Sequence, residues 1–127
     1  MTQTYVIHRD NRVIGYYSLC PGSIARETAI PRMLRGIAGH REIPIILIAR
    51  LAVDLSEHGT GLGAALLKDA FLRAVSAANA IAGRAIVVHA IDDEAVRFYE
   101  HFDFTRSPND DRTLMILMKD VRAMLAP

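Results

Sequence analysis

Ile45–Leu67, IILIARLAVDLSEHGTGLGAALL, is the stretch whose reading decides the fold. It opens on an apolar, largely β-branched run long enough for a strand buried on both faces. The polar hinge Asp54-Leu55-Ser56-Glu57 follows. Then comes the glycine-rich turn His58-Gly59-Thr60-Gly61-Leu62-Gly63, which runs directly into an Ala/Leu-rich helix. A strand, a glycine turn and a helix N-terminus in this order present backbone N–H groups and a positive dipole end to an anion. The stretch therefore reads as a cradle for a phosphate or pyrophosphate.

Outward from it, Leu62, Leu66, Ala70, Ala74, Ala78 and Ile81 form an apolar stripe at helical spacing, predicting a helix from about Leu62 to Ala82. Ala85–His89 reads as a second buried strand, so strand, helix and strand make a parallel βαβ unit. Upstream, Thr4–His8 and Arg12–Leu19 read as strands around an Asp10-Asn11 turn, with Pro21-Gly22 expected to end the second. Ser23–Glu42, broken by Pro31, Gly36 and Gly39, reads as an irregular, arginine-bearing excursion suited to a substrate-facing loop. Downstream, Asp92-Asp93 should cap a short helix over Glu94–Phe102. A strand from Phe104, a turn at Ser107–Asp111, a last strand over Thr113–Met118 and a terminal helical stretch over Lys119–Leu125 complete the chain.

At 127 residues the chain is read as one domain, 1–127. An apolar fraction of 51% excludes a disordered chain, and no apolar run approaches the roughly 18 residues of a membrane span. The start Met1-Thr2-Gln3-Thr4 lacks the basic opening of a signal peptide. Cys20, the single cysteine, cannot form an internal disulfide and fits a reduced, cytoplasmic setting. The net charge of +1 hides an asymmetry: residues 1–50 carry seven arginines against three acids, +4, and the rest carries −3. Arginine suits forked phosphate contacts, so the basic half reads either as an anion-binding surface or as a solvated one.

Three phosphate-binding templates compete for the glycine turn. A nucleoside-triphosphate loop needs G-x-x-x-x-G-K-[ST], and no register supplies the lysine and hydroxyl. The dinucleotide fingerprint is met by Gly59, Gly61 and Ala64, but Ala80–Arg84 lacks the acid that should follow. The acetyl-coenzyme A loop, [QR]-x-x-G-x-[GA], is matched at Gly61 and Gly63, with His58 at its first position.

From Thr4 to about Val121 the chain resembles the GNAT acetyltransferase superfamily, in particular the toxin branch paired with ribbon-helix-helix antitoxins. The resemblance is carried by Ala49-Arg50-Leu51-Ala52-Val53-Asp54 with its glycine loop, by Val87-Val88-His89-Ala90 with Ala95, Phe98, Tyr99 and Phe104, and by Ser107-Pro108 with Thr113-Leu114-Met115. Gly15-Tyr16-Tyr17-Ser18-Leu19 is also similar to this branch's early strand. It implies an α/β fold with a mixed, mostly antiparallel sheet, a central splayed parallel pair and flanking helices. It further implies acetyl-coenzyme A as cofactor, with pyrophosphate on the amides of Gly59, Thr60, Gly61, Leu62 and Gly63 and the His58 side chain donating to phosphate. Pantetheine would lie along the backbone of Leu51, Ala52 and Val53. Tyr99 would protonate the leaving thiolate, and a phenol of reference pKa ~10 suits a thiol of pKa ~8–9.

The implied acceptor is the amino group of aminoacyl-tRNA, whose acetylation blocks translation. Arg26, Arg32, Arg35, Arg41 and Arg50 are the residues expected to contact its phosphates beside the acetyl site. The alternatives are an acetyltransferase for a protein or small-molecule amine, and an inactive module that binds coenzyme A or an antitoxin. His89, at a strand end, is either a base or a hydrogen-bonded structural histidine, and Cys20 has no activator in view. Of Tyr16 and Tyr17, at most one faces the site. The chain begins where the second strand of such a domain is expected, so a first strand and its helices are expected to be missing. The edge so exposed would favour a homodimer.

Overall fold

Asp10 and Asn11 turn the first hairpin with φ of 51° and 62°. That pair of left-handed residues makes a two-residue loop whose twist matches the strands on either side. The computed structural model describes residues 2–37, 39, 42–81 and 83–126, and the side chains of all of these except 79–81. The hairpin strands are β1 (Gln3–Arg9) and β2 (Arg12–Ala25). β2 runs on through Pro21-Gly22 instead of ending there. Its last partner on β1 is Gln3, opposite Leu19, so beyond that point β2 is the sheet's edge, where a missing N–H breaks no ladder.

Two short 3-10 turns, Arg26–Thr28 and Pro31–Leu34, lead to β3 (Glu42–Val53), then α1 (Leu62–Ile81), β4 (Ala85–His89) and α2 (Asp93–His101). The chain continues through β5 (Thr105–Ser107), β6 (Asp110–Leu117) and α3 (Met118–Leu125). The six strands lie in the order β1-β2-β3-β4-β6-β5, and only β3–β4 is a parallel pair. The fold class expected from the resemblance is thus the one observed.

One sheet face packs on α1, through Tyr17, Leu19, Ile46, Ile48, Ile86 and Val88 against Leu66, Ala70 and Ala74. The lower half of the other face packs on the excursion after β2, where Ile24, Ile30 and Met33 meet Ile43, Ile45, Val87 and Met115. Burial from both sides explains why Ala85–Val88 is apolar without alternation.

A polar clasp crosses the first core. The hydroxyl of Tyr17, 1% exposed, donates to Asp69 on α1, and Asp69 also pairs with Arg73 at 3.1 Å. Arg73 lies 4.1 Å over the ring of Tyr5, which stacks on Tyr17. The Asp69 carboxyl is held below its ordinary range first by the Tyr17 hydroxyl and then by Arg73, against partial burial. A depressed carboxylate stabilises the fold fully above about pH 4 and loses that contribution as pH falls through the lowered value. Tyr17→Phe is therefore expected to cost about 1.5–3 kcal/mol at neutral pH and to flatten the acid limb of stability. Urea melts at pH 3 and pH 7 test this; an unchanged midpoint at both would show that the clasp contributes nothing net.

The sheet opens at its centre. β3 pairs with β4 only through Ile46↔Ile86, Leu47↔Val87 and Ile48↔Val88. On its other side it stays paired with β2 up to Gly15↔Val53, with a register shift where Ser18↔Arg50 gives way to Leu19↔Ile48. Ala49 is the extra residue. A bulge at this point bends β3 and raises its twist just where it leaves β4.

Candidate active site

Beyond the bulge β3 and α2 enclose a cleft of about 670 Å³. Leu51, Ala52 and Val53 form one side, Ala95, Phe98, Tyr99 and Phe102 of α2 the other, and Glu57–Ala64 the mouth. Over Ala49–Val53 the edge of β3 turned towards β4 has no strand partner. It can therefore hydrogen-bond an extended ligand as a further strand would.

At the mouth, Asp54 caps the short turn Leu55–Glu57 by accepting from the Ser56 N–H at 3.1 Å. Gly59 and Gly61 adopt φ of 80° and 85°, and a Cβ at either would meet nothing within 4 Å. The backbone there faces open space, which is where a ligand can approach it closely. The first α-helical bond of α1 runs from the Ala65 N–H to the Gly61 carbonyl at 3.1 Å. The amides of Leu62, Gly63 and Ala64 precede it, at the positive end of a 20-residue helix with no acid in its first turn. A Cβ at Gly63 would stand 3.4 Å from the ring of Phe98, at the near limit of ordinary contact, so α1 and α2 meet closely here. Loop, amides and helix end together fit a pyrophosphate, and the strand edge beside them fits an amide-bearing chain.

Supports that no sequence motif signals hold this loop. Glu57, 7% exposed, is paired with Arg9 of β1 at 2.6 Å, and the Thr60 hydroxyl donates to the Glu57 carbonyl at 2.6 Å. His58 lines the mouth, but its Nε2 lies 3.2 Å from the Val53 carbonyl. A carbonyl only accepts, so Nε2 carries the proton and the ring ties loop to strand. In a neutral ring Nδ1 is then an acceptor and cannot donate to a phosphate.

Tyr99 is positioned by helix capping at both ends. Asp92 accepts from the Ala95 N–H at 2.8 Å to start α2, and Asp103 (φ 71°) turns the chain out of it. The Tyr99 ring packs edge-on to Phe98 at 5.3 Å and tilted against Phe104 at 5.2 Å. Among the described residues its hydroxyl has no hydrogen-bond partner, and no enclosed side-chain polar atom is left unpaired. The hydroxyl therefore opens on the cleft. Burial pushes its pKa up to about 12, so the phenol stays protonated at neutral pH.

The basic residues do not gather beside this cleft. The Arg26 Nη1 donates to the Ile37 carbonyl at 2.6 Å, stapling the excursion to itself. Arg32 makes a forked pair with Asp120, at 2.9 and 3.3 Å. Arg32 and Arg35 instead line a pocket of about 330 Å³ with Arg84, Lys119 and Arg122. This pocket lies at the start of β4, the opposite end of the sheet, because the excursion folds back beneath it. Arg84, Lys119 and Arg122 join it from parts of the chain distant from the basic first half, and no motif in the sequence marks them. Arg50 is exposed beside Leu51 near the cleft, and Arg41 lies outside the described residues. Of the two tyrosines, Tyr17 is core and Tyr16 is half-buried on the sheet face away from α1.

Residues 2–106 match a family model described as an acetyltransferase (GNAT) domain. A tRNA-acetylating toxin of Mycobacterium tuberculosis is 50% identical over 124 residues, covering 98% of this chain and 74% of the relative. The structure of AtaT complexed with acetyl-methionyl-tRNAfMet superposes with a TM-score of 0.87 at 26% identity, over 98% of this chain and 76% of that one. A mutant AtaT bound to the C-terminus of the antitoxin AtaR and acetyl-CoA gives a TM-score of 0.79 at 26% identity, over 98% and 72%.

Proposed function

Because the chain belongs to the GNAT family of acetyltransferases, we propose that it transfers an acetyl group from acetyl-coenzyme A to the amino group of aminoacyl-tRNA and thereby blocks translation. The half-identity to a tRNA-acetylating toxin across nearly the whole chain carries this reading.

Bound acetyl-coenzyme A supplies an activated thioester. The amides of Gly59 and Gly61–Ala64 hold its pyrophosphate, the Thr60 N–H being given to the Glu57 carbonyl, and the free edge of Leu51–Val53 aligns its pantetheine arm. Tyr99, protonated and open to the cleft, donates its proton to the leaving sulfur. An α-amine of pKa near 7.7–8 is partly neutral at physiological pH, which suits an aminoacyl ester better than a lysine as acceptor. The toxin role implies a cytoplasmic enzyme held by an antitoxin, which we take to be of the ribbon-helix-helix type. No helix among the described residues is long and apolar enough to cross a membrane.

Arg50 near the cleft and the pocket of Arg32, Arg35, Arg84, Lys119 and Arg122 supply two basic contacts on the RNA. They are separated by the length of β4, roughly 17 Å at about 3.3 Å per residue. Arg35→Glu with Lys119→Glu is expected to weaken tRNA binding about tenfold or more and to reduce its salt slope by about one for each phosphate no longer neutralised. Coenzyme A binding should stay unchanged. Filter binding over a salt series tests this.

The whole reading is tested by incubating the protein with labelled acetyl-coenzyme A and charged tRNA. Label on the aminoacyl group, lost at high salt, is expected. Transfer to free amines with equal efficiency and no salt dependence would favour a protein or small-molecule acceptor. Thermal stabilisation by coenzyme A without any turnover would favour a binding module.

A further inference from the structure

His89 stands, exposed, on the sheet face turned away from α1. His89 closes β4 one residue past the last β3–β4 pair, Ile48↔Val88, so it marks the point where the strands part. Alternation puts it on the face of Val87, and its partner Thr113 on that of Met115. Tyr99 packs with the α1-side core. His89 thus flanks the parting point from the face opposite Tyr99, outside the lining of the cleft that Tyr99 faces.

The His89 ring belongs to a chain of hydrogen bonds whose direction is determined. Its Nδ1 lies 3.0 Å from Thr113 Oγ1, and that hydroxyl donates to Asp110 Oδ2 at 2.9 Å. The Asp110 carboxyl is held below its ordinary range, chiefly by the Arg112 N–H and then by the Thr113 hydroxyl. It is ionised at neutral pH and can only accept. A threonine hydroxyl has one proton, so Thr113 gives that proton to Asp110 and must accept from the His89 Nδ1–H. The neutral ring is therefore the tautomer with a bare lone pair on Nε2. Thr113, in the middle of this hydrogen-bond chain, is 2% exposed, whereas His89 and Asp110 at its two ends are exposed.

We infer that His89 Nε2 is the base that takes the proton from the acceptor amine, with Thr113 and Asp110 as positioning residues. This rests on the acetyl-transfer reading. The amine nitrogen bonds to the acetyl carbonyl carbon, and the carbon–sulfur bond breaks with its electron pair going to sulfur. Tyr99 supplies the proton on sulfur, and the amine's proton goes to His89. Exchange with water in the open cleft then returns one proton to Tyr99 and removes one from His89. Asp110, through Thr113, keeps the Nδ1–H of the ring engaged so that Nε2 stays aimed at the amine. The competing role for His89 is structural, a pin holding the end of β4 to β6.

Two measurements separate these roles. Nitrogen-15 spectra of the histidine side chains, taken on the protein alone, should show His89 as the Nδ1–H tautomer. Thr113→Val should shift it towards the Nε2–H form, and Thr113→Ser should not. In single-turnover transfer to charged tRNA, His89→Gln keeps a donor for Thr113 but cannot take a proton. It should slow the step about 100-fold, with coenzyme A binding unchanged. Thr113→Val should slow it less, and Thr113→Ser should restore the parent rate. An Nε2–H tautomer in the parent, or a His89→Gln rate within about threefold of it, would overturn the inference while leaving the acetyl-transfer reading intact. A parent protein that acetylates no amine would remove that reading and the base with it.

Discussion

Replacing Tyr99 with phenylalanine should lower the rate of acetyl transfer by about two orders of magnitude or more while leaving coenzyme A binding nearly unchanged. The ring is fixed by Phe98 and Phe104, and its hydroxyl has no protein partner among the described residues. Removing that oxygen therefore breaks no internal bond and opens no cavity. The variant should fold and melt like the parent, so lost activity is attributable to the missing proton donor. Because burial sets the phenol at about 12, the parent's activity should show no loss of this acid anywhere near neutrality. Rapid-quench measurement of a single turnover at saturating donor checks the prediction. A rate within about threefold of the parent would show that sulfur leaves without help from Tyr99.

Gly61→Val should abolish donor binding and leave a folded protein. At φ 85° a β-branched residue is strained by about 1–2 kcal/mol, which a domain of this size tolerates. Nothing lies within 4 Å of the added Cβ, so the new side chain meets no protein atom there. It stands instead in the space before the α1 amides that the pyrophosphate is proposed to fill. At coenzyme A about a hundredfold above the parent's Kd, the parent gains about 2.7 kcal/mol of stability. The variant should gain none, and a thermal scan with and without coenzyme A reads the difference. A valine variant that still binds within about threefold would move the phosphate site elsewhere.

Much of this architecture is legible in the sequence because its determinants are local. The Asp10-Asn11 turn, the Asp92 cap, the left-handed Asp103 and the apolar stripe of α1 each depend on a few neighbouring residues. The glycine turn can be assigned to a class of anion site because backbone amides need no particular side chains. What escapes a reading of the sequence is set by distant parts of the chain. Pro21 reads as a stop, since nothing near it reveals that the described β1 pairing ends opposite Leu19 and that β2 runs on as an edge. The bulge at Ala49 follows from pairing registers across 30 residues. The arginines of the first half read as neighbours of the cleft, yet the turn back to Asp120 sets Arg32 and Arg35 at the far end, among cations from α3 and the start of β4. A strand-end position makes His89 either a base or a structural residue. Choosing between them requires the direction of the Thr113–Asp110 bond.

The Arg9–Glu57 pair joins the outermost described strand of the sheet to the loop proposed to cradle phosphate. Glu57 is buried at the edge of that cradle, and its charge is tolerable there only while Arg9 stands against it. If β1 peels away, through strand exchange or trimming by a protease, an uncompensated anion is left where another anion must dock. Donor affinity would then fail while α1 and the central strands still hold together. A damaged copy would lose its donor before it unfolded, which makes the rim of the sheet a safety catch on the proposed reaction.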